Sequence, residues 1–529
     1  MRSVAIVAVM VRITVVACMN ASLASVQSPQ HLHLYVDGVS GSDEATGEHV
    51  QQPLRTLSAA QRAARAAGVP TTVHAGPGTY SPLSLNELDA GVRYQGVPGA
   101  IISAGVKLAA NGFAAVPSAD PVYGRLPTAT RAGVERFDIT PLGLPSSALG
   151  ITDMQLSCGG EPMNLATWPS NGSWAHTGAN VSSNGFVFPS DAPIPLEPTG
   201  LWLAGFFIYD WSDSRIPVES VVKSNHTLFA DTTGASYVRT GGQFIPGARF
   251  RFLNLPEFLD TSGQFWLDRS TNYLYVMKQH GATCTLAVGA IALQLTNTAH
   301  VSIAGFSIES AATSVVSISD SSSIRLHNCS VRNGMVGISV TGGAGVVIAD
   351  VEVQAIGGTG ISILGGDRPT LTRGDHLVTN CTIHDFARIN WCYHPGIQLE
   401  GVGNIASYNE IYNAPHQGIL VGGNDQLITH NVFHDLLLES FDSGAIYKSD
   451  RDWTARGLVV SSNFFYNLGS TSPSDRCNPH TACCRHVRRT LRVPPPFPER
   501  SKPTNTLDML LTRLFTWTQQ STGSRLQVI

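Results

Sequence analysis

Short hydrophobic runs, separated by turns rich in Gly, Ser, Asn and Asp, recur along most of this chain. From His300 onward these runs fall into a repeat with a basic period near 22 residues and longer steps where loops are inserted. A repeat of this length, built from strands and turns, is typical of solenoid proteins. The aligned units begin at Phe306, Cys329, Val351, Cys381, Asn409, Asn431 and Asn463.

The repeat predicts an all-β fold, a parallel β-helix in which each coil contributes three short strands. Adjacent coils then stack at about 4.8 Å, the spacing of hydrogen-bonded strands. We assign residues 297–474 to the repeats. The segment 475–529 is basic and lacks the repeat, which leaves three interpretations: a disordered tail, a capping segment, or a change of reading frame.

Two other regions precede the repeats. Residues 25–109 contain a strand near Leu34, an amphipathic helix from Thr56 to Ala67 and a strand from Thr71 to Ala75, and they predict an N-terminal cap with the first coils. Residues 110–296 are rich in aromatic side chains and predict an inserted antiparallel β-domain. Within this domain, the segments from Phe265 and from Asn272 predict a hairpin.

The first 24 residues predict a signal peptide and therefore a secreted, extracellular protein. Arg2 precedes an apolar run from Val4 to Cys18, interrupted by Arg12, and small residues follow at the expected cleavage site near Ala24. An uncleaved signal anchor is the alternative; no other stretch has the roughly 20 apolar residues of a membrane span. A glycoprotein is expected from the sequons at Asn171, Asn180, Asn225, Asn328 and Asn380.

The charge content and the cysteine spacing argue against several classes of partner and cofactor. Charged residues make up 14% of the chain, against roughly 25% in an average soluble protein. The formal net charge is −4, which argues against a nucleic-acid partner held by phosphate neutralisation. The cysteines lack zinc-ligand spacing, and we expect no cofactor, no metal and a monomer.

A second column of residues carries the candidate chemistry. Gly337, Gly360, Gly396, Gly418 and Gly444 each precede an apolar residue in successive coils. Setting these glycines at equal register places His394, His416 and Asp442 in one outward column, roughly 5 Å apart. Carboxylates beside imidazoles can act as acid, base or nucleophile. The alternatives are a solvated polar ladder, or a metal site whose linear spacing suits tetrahedral closure poorly.

Residues around that column are candidates for substrate binding. Two charged residues share its outward parity, a loop follows the Asp442 strand, and aromatic rings that could stack on sugars precede His394. These candidates are Glu400, Lys448, Asp450, Arg451, Trp453, Trp391 and Tyr393.

Residues 34–474 resemble the right-handed parallel β-helix carbohydrate-active enzymes, and glycoside hydrolase family 141 with its insertion domain in particular. The resemblance rests on an N-terminal strand-and-helix motif from Tyr35, on segments from Glu161 and Phe252, and on the repeats ending in Gln417-Gly-Ile and Asp442-Ser-Gly-Ala-Ile-Tyr. It implies hydrolysis of glycosidic bonds, with family activities on fucosides and xylan.

The resemblance also implies that Asp442 is the first catalytic carboxylate and that its partner comes from the next coil. Here the chain departs from the family pattern, because no acidic residue follows Cys484 until Glu499. With a partner one coil away, roughly 5 Å, the mechanism would be retaining, whereas Glu400, two coils below, would fit the wider inverting spacing. A polysaccharide lyase and a catalytically inactive sugar-binding protein are the alternatives.

Overall fold

The computed structural model describes residues 31–144, 149–151, 154–179, 181–195, 198–234, 243–278, 280–448, 452–469 and 527–528. The predicted signal peptide and nearly all of the predicted tail lie outside these residues. Within them, no helix has the length and apolarity needed to cross a bilayer.

The structure is an all-β, right-handed parallel β-helix with an inserted antiparallel β-domain, as predicted. One face of the solenoid, sheet 1, has ten parallel strands, and each strand pairs with its equivalent in the next coil. Sheet 1 comprises Leu32–Val36, Thr71–Ala75, Arg93–Gly96, Ser302–Ala304, Arg325–His327, Val347–Ala349, Leu377–Thr379, Ile405–Ser407, Leu427–Thr429 and Val459–Ser461.

Two further faces, sheet 2 and sheet 3, merge through two long strands, Ser307–Ser319 and Ser330–Thr341, that run through both. The other strands of sheet 2 are Gly78–Tyr80, Ala100–Ser103, Glu352–Ile356, Thr382–His384, Glu410–Tyr412, Val432–Leu436 and Phe464–Leu468. Those of sheet 3 are Leu83–Leu85, Ile291–Thr296, Ile361–Asp367, Ile397–Gly401, Ile419–Val421 and Ile446–Tyr447, with Thr372–Arg373 and Gln527–Val528 added as antiparallel strands.

The seven units aligned in the sequence form the first column, and the structure confirms their register in all seven coils. Because strand side chains alternate, the residue two positions after each unit start points into the solenoid and stacks on its equivalent. These stacked residues are Ile308, Val331, Val353, Ile383, Ile411, Phe433 and Phe465.

Asparagines at the start of the last three units, two of them fully buried, extend this column. The Oδ1 atom of Asn409 accepts from the N–H of Cys381, that of Asn431 from the N–H of Asn409, and that of Asn463 from the N–H of Asn431. Each side chain thereby ties one coil to the next at a turn where the backbone N–H would otherwise lack a partner. The repeat spacing therefore encodes both strand register and turn hydrogen bonding.

The predicted helix is present at Leu57–Ala67 and covers the end of the solenoid core. Thr56 is its N-cap, accepting from the N–H of Ala59, and Gly68 ends it with φ of 62°. Leu57, Ala60 and Ala64 are buried in the same cluster as the first coils. Among the described residues, short 3-10 helices span Glu87–Asp89, Ala110–Gly112, Arg131–Gly133, Thr140–Leu142, Lys223–Asn225, Thr232–Gly234 and Pro256–Phe258.

Three small sheets, antiparallel apart from one parallel pair, form between the first coils and the later repeats. The predicted hairpin is present, pairing Gln264–Asp268 with Tyr273–Met277. Cys158 and Cys284 lie opposite each other on paired strands and form a disulfide, a pairing that the sequence left open. The remaining strands are Gly105–Leu108, Ala114–Ala115, Glu135–Asp138, Leu156–Cys158, Glu161–Pro162, Asn164–Leu165, Thr167–Trp168, Ala175–His176, Gly185–Val187, Trp202–Phe206, Ser214–Val222, Thr227–Ala230, Arg249–Leu253 and Cys284–Ala287.

Candidate functional site

The candidate residues lie on the turns that connect sheet 2 to sheet 3, before the strands that begin at Ile397, Ile419 and Ile446. The inserted domain packs against these turns. Arg249, which is 7% exposed, donates to the carbonyl of Glu439, and the N–H of Phe441 donates to the carbonyl of Asp210. The site is therefore built where two parts of the chain meet.

The predicted column is wrong by one residue at its third member. Ile397 pairs with Ile419, as expected, but Ile419 pairs with Ile446 and not with Ala445. His394 and His416 thus lie three residues before their isoleucines, whereas Asp442 lies four residues before Ile446. The residue that matches Asp442 by register is Tyr393.

Tyr393 and Asp442 also share a backbone conformation, with φ of 58° and 54° respectively. Both stand at the equivalent left-handed position of their turns, where Asp is tolerated better than most residues. Matching Gly444 to the glycines of the other coils hides this equivalence, because it shifts the Asp442 turn by one residue relative to the strands.

His416 is fully buried, contrary to the outward orientation that we expected. Its Nδ1 accepts from the backbone N–H of Tyr393 at 2.9 Å. Burial lowers the pKa of His416 to about 3, against a smaller opposing effect of the Phe441 carbonyl. A neutral imidazole in this place positions the Tyr393 turn, and it is a poor proton donor or acceptor at neutral pH.

His394 is half-buried and lies over Gly358 of the neighbouring coil, whose absent side chain leaves room for the ring. Its Nδ1 is 3.3 Å from the hydroxyl of Thr359. Burial lowers the pKa of His394, and the Asp213 carboxylate acts in the opposite direction. His394 therefore faces a coil that lies away from Asp442, on the far side of its own turn.

Asp213, a residue of the inserted domain that sequence reasoning missed, fixes the turn that carries Tyr393. Its two carboxylate oxygens accept from the backbone N–H groups of Trp391 and Cys392, at 3.0 and 3.1 Å. A carboxylate that accepts two backbone N–H groups is held firmly in place. No sequence motif marks Asp213, because its partners are 178 and 179 positions away.

Trp391 belongs to the same domain contact and is only 9% exposed. Its ring stacks on Phe206 at 5.6 Å and meets the edge of Trp174 at 5.3 Å. This burial favours a role for Trp391 in packing the domain contact over the stacking on sugars that the sequence suggests.

Tyr393 lies near Asp442 and belongs to a group of exposed and half-buried rings that we call the ring cluster: Tyr209, Trp211, Tyr393 and Tyr447. The ring of Tyr393 is 6.3 Å from that of Tyr447 and 6.5 Å from that of Trp211, and Trp211 stacks on Tyr209 at 4.9 Å. Burial raises the pKa of the Tyr393 hydroxyl, and the neighbouring Tyr447 and Asp442 raise it further. Tyr393 thus stays protonated and can donate a hydrogen bond.

The other predicted residues spread over a wider surface. Glu400 accepts from Gln398 at 2.7 Å and lies three residues beyond Ile397, roughly 10 Å further along its strand. Asp442 precedes its own strand two coils away, so Glu400 and Asp442 do not form a carboxylate pair. Lys448 lies one residue beyond its strand, two positions after Ile446, and does not share the register of Glu400.

The loop after Lys448 is described only in part, and Asp450 and Arg451 lie outside the described residues. Trp453 is 98% exposed. Its neighbour Asp452 forms an ion pair with Arg368, which anchors the loop to the solenoid surface. Within the described ranges, no group of three or more His, Cys, Asp or Glu side chains is placed to hold a metal ion.

Comparison with known proteins supports the fold. A family model described as the right-handed beta helix region matches residues 280–375. No curated protein sequence matches this chain.

Several solved structures align with it. A glycoside hydrolase aligns with a TM-score of 0.59 and 14% identity, covering 84% of this chain and 98% of that one. XylC in complex with xylose aligns with a TM-score of 0.44 and 12% identity, covering 83% of this chain and 66% of that one. Pectate lyase Pel9A aligns with a TM-score of 0.34 and 10% identity, covering 87% of this chain and 86% of that one. At these identities the likeness is one of fold.

Proposed function

We propose that this protein is a carbohydrate-active enzyme that hydrolyses glycosidic bonds of an extracellular polysaccharide or glycan, with Asp442 as nucleophile or acid/base. The observation that carries the proposal is the position of Asp442 near Tyr393, whose ring neighbours that of Tyr447 in the ring cluster. Aromatic faces suit the apolar faces of sugar rings, and a carboxylate is the group that glycoside hydrolysis requires. Our more specific hypothesis is that the protein belongs to glycoside hydrolase family 141.

In this proposal the turn residues have separate tasks. Asp213 accepts from the backbone N–H groups of Trp391 and Cys392, and His416 accepts from that of Tyr393. Together these hydrogen bonds fix the turn and set the direction of the Tyr393 side chain. Tyr393, protonated at neutral pH, donates to Asp442 or to a sugar oxygen. Asp442 supplies the charge that an oxocarbenium-like transition state needs, and its partner carboxylate is expected from the next coil.

The test is an assay of reducing-end release from fucosylated glycans, xylan and other extracellular polysaccharides. We expect Asp442→Asn to lower turnover by at least about 10³-fold, because the amide cannot replace a catalytic carboxylate. Asp375→Asn is the matched control, since Asp375 is an exposed aspartate that pairs with Arg373. Equal turnover in the wild type and the Asp442 variant would remove Asp442 from the mechanism.

The same assay separates the alternatives. A product that absorbs in the ultraviolet, with an unsaturated sugar at its end, would support a lyase and contradict hydrolysis. Glycan binding that Asp442→Asn leaves intact, with no turnover by the wild type, would support a non-catalytic sugar-binding protein.

We also propose that the protein is secreted. The disulfide between Cys158 and Cys284 favours an oxidising compartment. The described sequon residues Asn171, Asn225, Asn328 and Asn380 are all exposed, so they are accessible for glycosylation, while Asn180 lies outside the described residues. Mass measurement of the exported protein before and after enzymatic deglycosylation tests both points.

A further inference from the structure

The turn that follows each strand of sheet 1 carries one residue at the same register in successive coils. Asn328, Asp350, Asn380, Tyr408 and His430 lie over one another along the solenoid axis, because the residues that precede them pair between coils. All five have a positive φ, between 51° and 57°. Their side chains therefore leave the turn in the same direction, and each one faces its equivalents in the neighbouring coils. We call this set the turn column.

The ring of Tyr408 is covered on one face by its neighbour in the column. This face stacks on the ring of His430, with centroids 4.8 Å apart and an interplanar angle of 18°. The separation matches the spacing of neighbouring coils, about 4.8 Å, so the two rings lie one over the other along the axis. The opposite face of Tyr408 points to the coil of Asn380, which has no ring at this register, and Tyr408 is 60% exposed. A solvent-accessible aromatic face thus lies next to the amide of Asn380.

Asn380 begins the sequon Asn380-Cys381-Thr382, and its side chain is exposed. Its Nδ2 donates to the Oδ1 atom of Asp350, in the coil on the side away from Tyr408. An amide nitrogen carries two hydrogens, so Nδ2 can keep this bond when a sugar replaces the other hydrogen. Asp350 then holds the amide in place and, with it, the direction in which an attached sugar leaves the turn.

We propose that Asn380 is N-glycosylated and that its first N-acetylglucosamine packs on the open face of Tyr408. In the transfer, the glycosyl–phosphate bond of a lipid-linked oligosaccharide diphosphate breaks, the bond from the sugar C1 to Nδ2 forms, Nδ2 loses one proton, and the lipid diphosphate leaves. The C–H groups on the apolar face of the sugar then meet the negative face of the ring. The modification is made in the secretory pathway, so this assignment rests on the proposed secretion and deepens it.

Asn328 is a matched site within the same chain. It also begins a sequon with cysteine at the second position, it is exposed, and it stands two coils before Asn380 in the turn column. Its neighbours at this register are Gly305 in one coil and Asp350 in the other. A sugar on Asn328 therefore leaves from an equivalent turn but meets no aromatic face in the column.

Glycopeptide mass mapping of the full chain, exported from a eukaryotic cell line, measures which sequons carry sugar, and we expect Asn380 to be occupied. Timed release of the glycans from the folded protein by a peptide amidase then measures how well each linkage is protected. Packing on the ring should make release at Asn380 roughly 2- to 10-fold slower than in the Tyr408→Ala variant. Release at Asn328 should be the same in both proteins, and Tyr408→Phe, which keeps the ring, should keep the protection.

The possible results separate this assignment from the proposed secretion. An exported protein with Asn380 unoccupied overturns the assignment and leaves secretion intact. Equal release rates at Asn380 in the wild type and in Tyr408→Ala overturn the packing on Tyr408. A chain that never enters the secretory pathway overturns both proposals, whereas a protected glycan on Asn380 of a protein that is retained in the cell contradicts secretion alone.

Discussion

The imidazole of His416 is held in one orientation by the N–H of Tyr393, and its burial makes the neutral form strongly preferred. A histidine on a solvent-facing column would titrate near pH 6.5 and could transfer protons. His416 does neither at neutral pH, so its contribution to the site is positional. The residue that emerges next to Asp442 is Tyr393, which His416 and Asp213 hold in place.

This burial predicts a pH dependence of stability. The pKa of His416 is about 3 in the folded state and near 6.5 when unfolded, so the unfolded chain binds a proton first as pH falls. The stabilisation is complete above pH 6.5 and is lost between pH 6.5 and 3. At pH 5 the free energy of unfolding should have fallen by about 2 kcal/mol on account of this residue.

Urea unfolding at pH 7 and pH 5 measures this effect. His416→Asn keeps an acceptor for the Tyr393 N–H and should reduce the difference between the two pH values by about 2 kcal/mol. His49→Asn, at an exposed histidine, is the control. A difference that His416→Asn leaves unchanged would show that His416 has the same pKa in the folded and the unfolded protein, which contradicts the prediction.

Tyr393→Phe removes one hydroxyl from the ring cluster. Because that hydroxyl neighbours Asp442 and Tyr447, we expect kcat/KM to fall roughly 10- to 100-fold with the free energy of unfolding nearly unchanged. Tyr408→Phe is the matched control, since Tyr408 is 60% exposed and stacks on His430 away from the site. Similar kinetics for the two variants would assign no role in turnover to the Tyr393 hydroxyl.

At the scale of a strand and its turn, register is set by side chains that stack between coils. The first column is unambiguous in the sequence, because its inward apolar position repeats in every coil and asparagine begins the last three units. The second column is anchored by glycine and isoleucine, and near Asp442 the segment Gly444-Ala-Ile offers two inward candidates, Ala445 and Ile446. The larger residue takes the pairing position opposite Ile419, since it fills more of the core.

The asparagine column gives a prediction at this scale. Asn431 is fully buried, and its Oδ1 accepts from both the N–H and the Nδ2 of Asn409. Asn431→Ala leaves the buried N–H of Asn409 without a partner and should lower the free energy of unfolding by about 3 kcal/mol.

Chemical denaturation compares this variant with Asn413→Ala, at an exposed asparagine whose Nδ2 bonds to Asp385. We expect the control to change the free energy of unfolding by about 0.5 kcal/mol or less. Equal effects of the two substitutions would mean that the buried ladder contributes little to stability.

At the scale of the whole molecule, the contact between the inserted domain and the solenoid creates the site. Its apolar centre includes Trp174, Phe206, Leu253 and Trp391. Arg249 bridges the two parts, bonding to Asp210 on one side and to the Glu439 carbonyl on the other. Tyr393 of the ring cluster lies beside this contact, so we expect the stability of the contact and turnover at the proposed site to be coupled.

Trp391→Ala tests that coupling. Removing this 9% exposed ring should lower the free energy of unfolding by about 3–5 kcal/mol and reduce turnover, because Asp213 binds the Trp391 backbone beside Tyr393. Trp453→Ala, at a 98% exposed tryptophan, should leave stability unchanged. Equal stability of the two variants in differential scanning calorimetry would contradict the central role of Trp391 in the contact.

Local pattern determined much of this protein. The period near 22 residues, the apolar alternation and the capping signals at Thr56 and Gly68 predicted the β-helix, its first column of stacked residues and its N-terminal helix. These features depend on neighbours in sequence or on a regular repeat, and one chain contains that information. The second column of candidate residues was predicted on outward strand positions, whereas the structure places these residues on the turns between sheet 2 and sheet 3.

Only the tertiary structure decided which residues meet there. Asp213, Tyr209 and Trp211 reach the turns from a domain inserted roughly 180 positions earlier, and the disulfide partners are 126 positions apart. Solvent exposure also distinguishes the roles of two neighbours: His416 is buried and positions the turn, whereas Tyr393 is exposed and lies next to Asp442. Contacts between distant segments and the solvent exposure of a side chain depend on how domains pack, and no local period encodes them.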